Sequence, residues 1–131
     1  MLHVLITASS RYPIRRRQIK EVVARVLSEM KISFDVEVEI NVIGDRKMTQ
    51  LHVKHLHEPG TTDVLSFPLN EKLNKKDNFV SYPDKTLRLG TIFISYPQAR
   101  RQANKHKLLV DQEVAQLVEH GMFHLLGIHH E

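Results

Sequence analysis

The 131-residue chain contains no cysteine and no tryptophan. Without cysteine it forms no disulfide, and a bound metal would have to be held by imidazoles or carboxylates instead of thiolates. It also lacks an apolar run of about 18 residues, the length needed to span a membrane, and its N-terminal apolar segment is too short and interrupted for a signal peptide. We therefore expect a cytoplasmic protein that has neither a membrane partner nor a disulfide-linked partner.

Size and charge narrow the function classes only slightly. A chain of this length is expected to form one domain, residues 1–131, with a core large enough to fold without a structural metal. Lysine and arginine outnumber aspartate and glutamate by 19 to 15, which gives a formal net charge of +4. A modest positive excess favours a polyanionic partner, although many basic proteins do not bind nucleic acid.

Apolar periodicity predicts four strands and four helices in the order β-α-β-α-β-β-α-α. The expected strands cover residues 2–7, 34–42, 63–67 and 87–95, and the expected helices cover residues 13–30, 45–54, 97–105 and 110–126. Asp45 is expected to cap the second helix. This order indicates an α+β domain in which helices pack mainly on one face of a small mixed sheet of about four strands. The polar stretch 70–85 is interpreted as a long exposed excursion.

Four of the nine histidines fall close to the end of the sequence, at positions 120, 124, 129 and 130. His120 and His124 are neighbours on one helix face, because residues four apart are stacked there. Gly127 can end this helix in a left-handed conformation, so that His129 or His130 turns back towards the first two. Three neutral imidazoles with a fourth position left to water form a catalytic zinc site. The alternative is that these are exposed histidines favoured by the helix dipole.

The residue that follows the first histidine argues against a peptidase. A zincin-type metalloprotease carries the motif H-E-x-x-H, in which the glutamate is the general base. Gly121 occupies the position of that glutamate, and no carboxylate lies between His120 and His124. The pattern therefore predicts a metal site without predicting peptide hydrolysis.

Three segments resemble the YbeY family of zinc-dependent endoribonucleases, which act in ribosomal RNA maturation and ribosome quality control. The family signature H-G-x-L-H-L-x-G-y-D-H is similar to residues 120–130, the block T-[DN]-V-L-S-F-P occurs intact at residues 62–68, and L-G-D-I-x-I-S is similar to residues 89–95. All three occur in the family's order and at about its spacing, so that the resemblance spans essentially the whole chain.

The resemblance implies a site and a function. The metal ligands would be His120, His124 and His130, at the end of the last helix, and they would hold one catalytic zinc ion. No catalytic group beyond the metal-bound water is implied. The function would be single-strand-specific, metal-dependent endoribonuclease activity in ribosomal RNA processing, with ribosomal RNA or a ribosomal subunit as the partner. Zinc would lower the pKa of its bound water and act as a Lewis acid on the phosphodiester. Whether water or the 2′-hydroxyl of the RNA attacks the phosphorus stays open.

Three positions depart from the family pattern. His129 stands where the family usually has Asp, Thr91 replaces the Asp of the third block, and Leu56 replaces an Arg that is implicated in activity. A buried leucine cannot stabilise a developing negative charge as a guanidinium can. These departures keep open the alternative of a non-catalytic ribosome-assembly or RNA-binding protein that retains the metal site. A hydrolase for another phosphoester or amide has no residue that favours it.

Cationic side chains supply the candidate substrate-binding residues. Lys54 lies near the position of the missing Arg, and a basic cluster follows the fourth strand, from which we select Arg100, Arg101 and Lys105. Such residues can neutralise phosphates and give salt-dependent binding. A solvated helix face is about as good an interpretation of the basic cluster.

Further polar residues precede or lie within the third strand. His52, His55 and His57 could contact RNA or form a second metal site, but we interpret them as solvated surface histidines. Asp63 is either a carboxylate that supports the metal ligands or a residue that starts the strand. Ser66 has no base placed beside it by the sequence, so a serine nucleophile has little support.

Overall fold

A computed structural model describes residues 2–69 and 86–127 of the chain. In this part the elements follow the predicted order. The strands are β1 (Leu2–Ala8), β2 (Val36–Ile43), β3 (Val64–Pro68) and β4 (Leu87–Ser95), and the helices are α1 (Arg16–Glu29), α2 (Asp45–Leu56), α3 (Tyr96–His106) and α4 (Val110–Leu125). The excursion predicted for 70–85 lies outside the described residues. No helix among the described residues combines the length and the apolar character needed to cross a bilayer.

The described strands form one mixed sheet in the order β1-β2-β4-β3. Strands β1 and β2 are parallel, as are β2 and β4, whereas β3 runs antiparallel to β4. The α+β fold with a four-stranded mixed sheet is therefore confirmed. The antiparallel edge strand β3 matters for the site, because Ser66 lies in it opposite Ile92 of β4.

Helices cover the two faces of the sheet unequally. The main core lies between the sheet and helices α1, α3 and α4, and its fully buried members include Val23, Val26, Val38, Ile40, Ile92, Ile94, Val118 and Met122. Helix α2 packs on the opposite face, where Met48 forms a smaller cluster with Ile43 and Leu65. Successive strand side chains point to opposite faces, so β2 and β4 contribute to both clusters. The prediction that helices pack mainly on one face is confirmed.

The start of α1 and the N-cap of α2 differ from the predicted ones. Helix α1 begins at Arg16 instead of Pro13, because the backbone at the N-cap residue Arg15 is still extended. In α2 the N-cap is Gly44, and the structure gives it no capping side chain. Asp45 is thus the first helical residue and does not cap the helix; its carboxylate accepts a hydrogen bond of 2.9 Å from the Ser95 hydroxyl instead.

Two glycines shape the C-terminal part of α4, one inside the helix and one after its last turn. Gly127 has a φ of +79° and follows the last turn, as the sequence predicted, and its amide donates to the His124 carbonyl at 3.0 Å. Gly121 is buried against β4: a Cβ atom there would lie 2.8 Å from a side-chain carbon of Ile92. Helix α4 therefore approaches the sheet closely at the turn that carries both histidines.

Candidate metal centre and the adjoining groove

One stripe of α4 carries the polar residues of the candidate site. Glu113, Gln116, His120 and His124 follow one another at spacings of three, four and four residues, which places them on one face of the helix. Glu113 is buried, His120 is exposed and His124 is half-buried. The structure therefore brings together the two histidines that the sequence placed on successive turns.

His124 is held by β3. Its Nδ1 atom is in hydrogen-bond contact with the Ser66 hydroxyl. When Nδ1 donates to that oxygen, the lone pair of the neutral ring lies on Nε2. The expectation that Ser66 has no base beside it was wrong, because strand pairing and helix packing bring together residues that are 58 positions apart.

The donor chemistry fits zinc in the part of the site that the structure describes. Two imidazoles from one helix are a common part of zinc sites, and a ligating histidine usually has its other ring nitrogen hydrogen-bonded, as Nδ1 of His124 is. His129 and His130, which include the predicted third ligand, lie outside the described residues. Within residues 2–69 and 86–127 no group of three histidine or carboxylate side chains is arranged to hold a metal.

A groove runs along α4 away from His120; we call it the α3–α4 groove. It is bounded by α3, α4 and the start of β3, and its lining side chains include Asp63, Lys105, His106, Glu113 and His120. His106 Nδ1 lies 3.0 Å from Glu113 Oε1. Asp63 accepts hydrogen bonds from the Val64 amide at 2.8 Å and from Gln102 at 3.1 Å. Asp63 thus lies directly before β3 and lines the groove as well. The predicted role at the start of the strand is confirmed, and support of the metal ligands by Asp63 stays a prediction.

The four cationic candidates have different surroundings. Lys105 lines the α3–α4 groove together with His120. Arg100 lies over the ring of Tyr96, 5.1 Å from its centroid, and Lys54 is exposed on α2. Of the four, Lys105 is the one that lines the same groove as a predicted metal ligand.

Arg101, the fourth candidate, is engaged in a structural contact. Its guanidinium forms a close ion pair with the Asp45 carboxylate and so ties α3 to the start of α2. Burial acts to raise the pKa of Asp45, but hydrogen bonds from Arg101 and Ser95, together with the charge of Arg101, hold this pKa below its usual value. Arg101 therefore already has a carboxylate partner within the protein.

The two histidines of α2 contact neighbouring parts of the protein. His52 is only 8% exposed, and its Nδ1 lies 3.0 Å from the Gly60 carbonyl oxygen, so interpreting it as a solvated surface residue was wrong. His55 is exposed and lies with its ring centroid 4.9 Å from that of Phe67. Leu56 was expected to be buried, but it is 47% exposed because it ends α2 at the surface.

Comparison with known proteins gives a consistent result. A family model described as Endoribonuclease YbeY matches residues 6–131. Two proteins named Endoribonuclease YbeY from strains of Dehalococcoides mccartyi are 38% and 32% identical to this chain; the alignments cover 86% and 99% of this chain and 69% and 84% of theirs. One from Frankia casuarinae is 36% identical over 80% of this chain and 52% of its own length.

A solved structure shares the fold. The solution structure of a protein from Thermotoga maritima is similar to this chain with a TM-score of 0.57 and 22% sequence identity. The match covers 100% of this chain and 75% of that one. At this level of identity the similarity supports the architecture of sheet and helices and says nothing about chemistry.

Proposed function

The chain belongs to the endoribonuclease YbeY family, and from that premise we propose that it is a metal-dependent endoribonuclease that cleaves single-stranded RNA during ribosomal RNA maturation. The observation that carries the proposal is the pair of imidazoles, His120 and His124, on successive turns of α4 beside an open polar groove. A protein that cuts RNA needs a group that activates the attacking oxygen and a surface along which the strand lies. The two imidazoles and the groove at this end of α4 support the proposal on both counts.

The residues of the chain have distinct tasks in this proposal. His120, His124 and His130 would hold a zinc ion, which when bound would supply Lewis-acid chemistry and acidify water. Ser66 orients the ring of His124 through its contact with Nδ1. Lys105 supplies a positive charge in the α3–α4 groove, where it can contact an RNA phosphate.

The main alternative is a ribosome-assembly or RNA-binding protein that keeps the metal without cutting RNA. One observation favours it: Leu56, where the family pattern has Arg, exposes 47% of its surface and offers no charge to a phosphate. A leucine at this position removes the donor hydrogens and the positive charge that a guanidinium would supply. Both functions therefore require RNA binding, and only the nuclease also requires catalysis.

Metal analysis and a cleavage assay test the proposal together. The purified protein is expected to contain about one zinc per chain at neutral pH and to lose it as the pH falls towards about 5, because imidazoles must be deprotonated to bind metal. Cleavage of a fluorescent single-stranded RNA should stop on chelation and return with zinc. His120→Ala should lose metal and cleavage, while His3→Ala, which changes an exposed histidine on β1, should retain both.

Each contrary outcome has a defined meaning. Absence of stoichiometric zinc at neutral pH in the wild-type protein would contradict the metal site. A zinc-loaded protein that binds the RNA and never cuts it would establish the assembly-factor alternative. Cleavage that survives chelation and the His120→Ala substitution would place the activity elsewhere in the protein or in a contaminant.

A further inference from the structure

The α3–α4 groove contains a polar pair that metal binding does not use. Glu113 is 3% exposed, and its Oε1 lies 3.0 Å from His106 Nδ1. A carboxylate so deeply buried is costly unless it is hydrogen-bonded, so the contact both satisfies Glu113 and fixes the orientation of the imidazole. About half of the His106 side chain stays exposed and lines the groove.

A second polar pair lies in the same groove. Asp63 accepts a 3.1 Å hydrogen bond from Nε2 of Gln102, and its other carboxylate oxygen accepts one from the Val64 amide at 2.8 Å. The Gln102 amide is therefore oriented by a carboxylate that is itself anchored to the backbone. Val64 and Leu117 add apolar lining. We call the part of the α3–α4 groove that is lined by Asp63, Gln102, His106 and Glu113 the pocket. Its oriented polar groups can fix the orientation of a ligand.

The charges of the pocket favour a base over a phosphate. Asp63 and Glu113 both contribute carboxylates to the lining, and these would repel an anion placed among them. A nucleobase is planar and neutral and presents donors and acceptors along its edge, which an imidazole and an amide can match by hydrogen bonds and by stacking. Lys105, in the same groove, remains suited to the backbone phosphate next to that base.

The pocket lies at a useful distance from His120. Glu113 and His120 are seven residues apart on α4, which corresponds to nearly two helical turns, the same face and about 10 Å along the helix axis. A strand whose phosphate reaches His120 can therefore place a neighbouring nucleotide beside His106. We propose that this pocket binds one nucleobase of the single-stranded substrate and that His106 and Gln102 select it, with Glu113 as a positioning residue; this rests on the proposed function.

Binding without metal separates this proposal from catalysis. Anisotropy of fluorescein-labelled single-stranded octamers of adenylate, cytidylate and uridylate is measured with metal-free protein. The wild-type protein is expected to prefer one octamer by about tenfold, the discrimination that one or two base-edge hydrogen bonds provide. His106→Ala should reduce this preference to less than about twofold, and Gln102→Ala should reduce it in part.

Glu113→Gln tests the positioning role. It should lower the preference to an intermediate value, because the imidazole loses a charge-assisted hydrogen bond while the shape of the side chain is kept. Asp111→Asn is the matched control, since it removes a carboxylate of the same helix that pairs with Arg15 at 3.1 Å instead of lining the groove. The control should keep the wild-type preference. If His106→Ala unfolds because Glu113 stays buried and charged, the double variant His106→Ala/Glu113→Gln removes that charge and gives the measurement.

Failure of the pocket and failure of the proposed function are distinguishable. Equal binding of the three octamers by the wild-type protein, or an unchanged preference in a folded His106→Ala protein, would overturn the pocket even if the zinc-loaded protein cuts RNA. A preference that depends on His106 in a protein that never cuts RNA would support the pocket and contradict the nuclease.

Discussion

Helices α2 and α4 each carry histidines at helical spacing near their C-terminal ends, but the surroundings of the rings differ. In α2, His52 is buried and its Nδ1 is used by the Gly60 carbonyl of the following loop. In α4, His120 is exposed and lines the α3–α4 groove. The Nδ1 atom of His124 contacts the Ser66 hydroxyl of β3. Similar sequence patterns thus serve loop attachment in one helix and a candidate metal centre in the other.

The largest difference between the two helices is expected in activity. His124→Ala should reduce metal-dependent RNA cleavage by more than about a hundredfold, because removing a ligand should cost more than removing a residue that supports one. His55→Ala, which removes an exposed histidine of α2, should stay within about twofold of wild type. Zinc content and initial cleavage rates measure both effects. Equal losses in the two variants would abolish the distinction between the helices.

Ser66→Ala tests how far the sheet contributes to the α4 site. Without the hydroxyl, the Nδ1 atom of His124 loses its contact on β3, and zinc affinity should fall by about 10-fold to 100-fold, as is typical when a group that orients a ligand is removed. Competition with a chelator of known affinity gives the number. An unchanged zinc affinity would mean that packing alone orients the ring.

His52→Ala should act on stability instead. The substitution leaves a buried cavity and removes the ring that contacts Gly60, so the free energy of unfolding in urea should fall by about 2 kcal/mol. The zinc content should not change. A loss below about 0.5 kcal/mol, which is usual for surface positions, would show that this histidine is not structural.

Asp45, at the start of α2, should show a smaller effect that depends on pH. Its pKa in the folded protein is below the usual value, so the carboxylate stabilises the fold above its unfolded pKa, and this contribution is lost as the pH falls through the folded-state pKa. Asp45→Asn should therefore cost about 1 kcal/mol at pH 7, a value discounted for partial exposure.

The acid limb of the stability curve checks this sign. The difference between wild type and Asp45→Asn should shrink as the pH falls below the usual aspartate pKa of about 3.9, and it should be lost as the pH falls through the lower folded-state pKa of Asp45. Glu29→Gln is the control, because Glu29 pairs with Arg25 at 3.4 Å on the exposed surface of α1, where an ion pair contributes less than about 1 kcal/mol. A constant difference at all pH values would contradict the role of the Asp45 charge.

Sequence periodicity was sufficient to predict the helices and strands, but it did not predict the contacts between them. The alternation in β2 and the spacing of His120, His124 and Gly127 depend on local geometry, which a single segment contains. The contact of Ser66 with His124 depends on how β3 and α4 pack, and the sequence has no local signal for it. The burial of His52 was missed for the same reason, because its partner is a backbone carbonyl, which leaves no trace in the side-chain pattern.

Gly121 has a consequence for attempts to redesign this site. A side chain at this position would start 2.8 Å from Ile92, so the position points into the layer between helix and sheet. A glutamate introduced there would therefore push helix α4 and strand β4 apart. A peptidase-like general base would therefore have to be engineered from another element, such as β3. Helix α4 and strand β4 are too close at Gly121 to accommodate a side chain there.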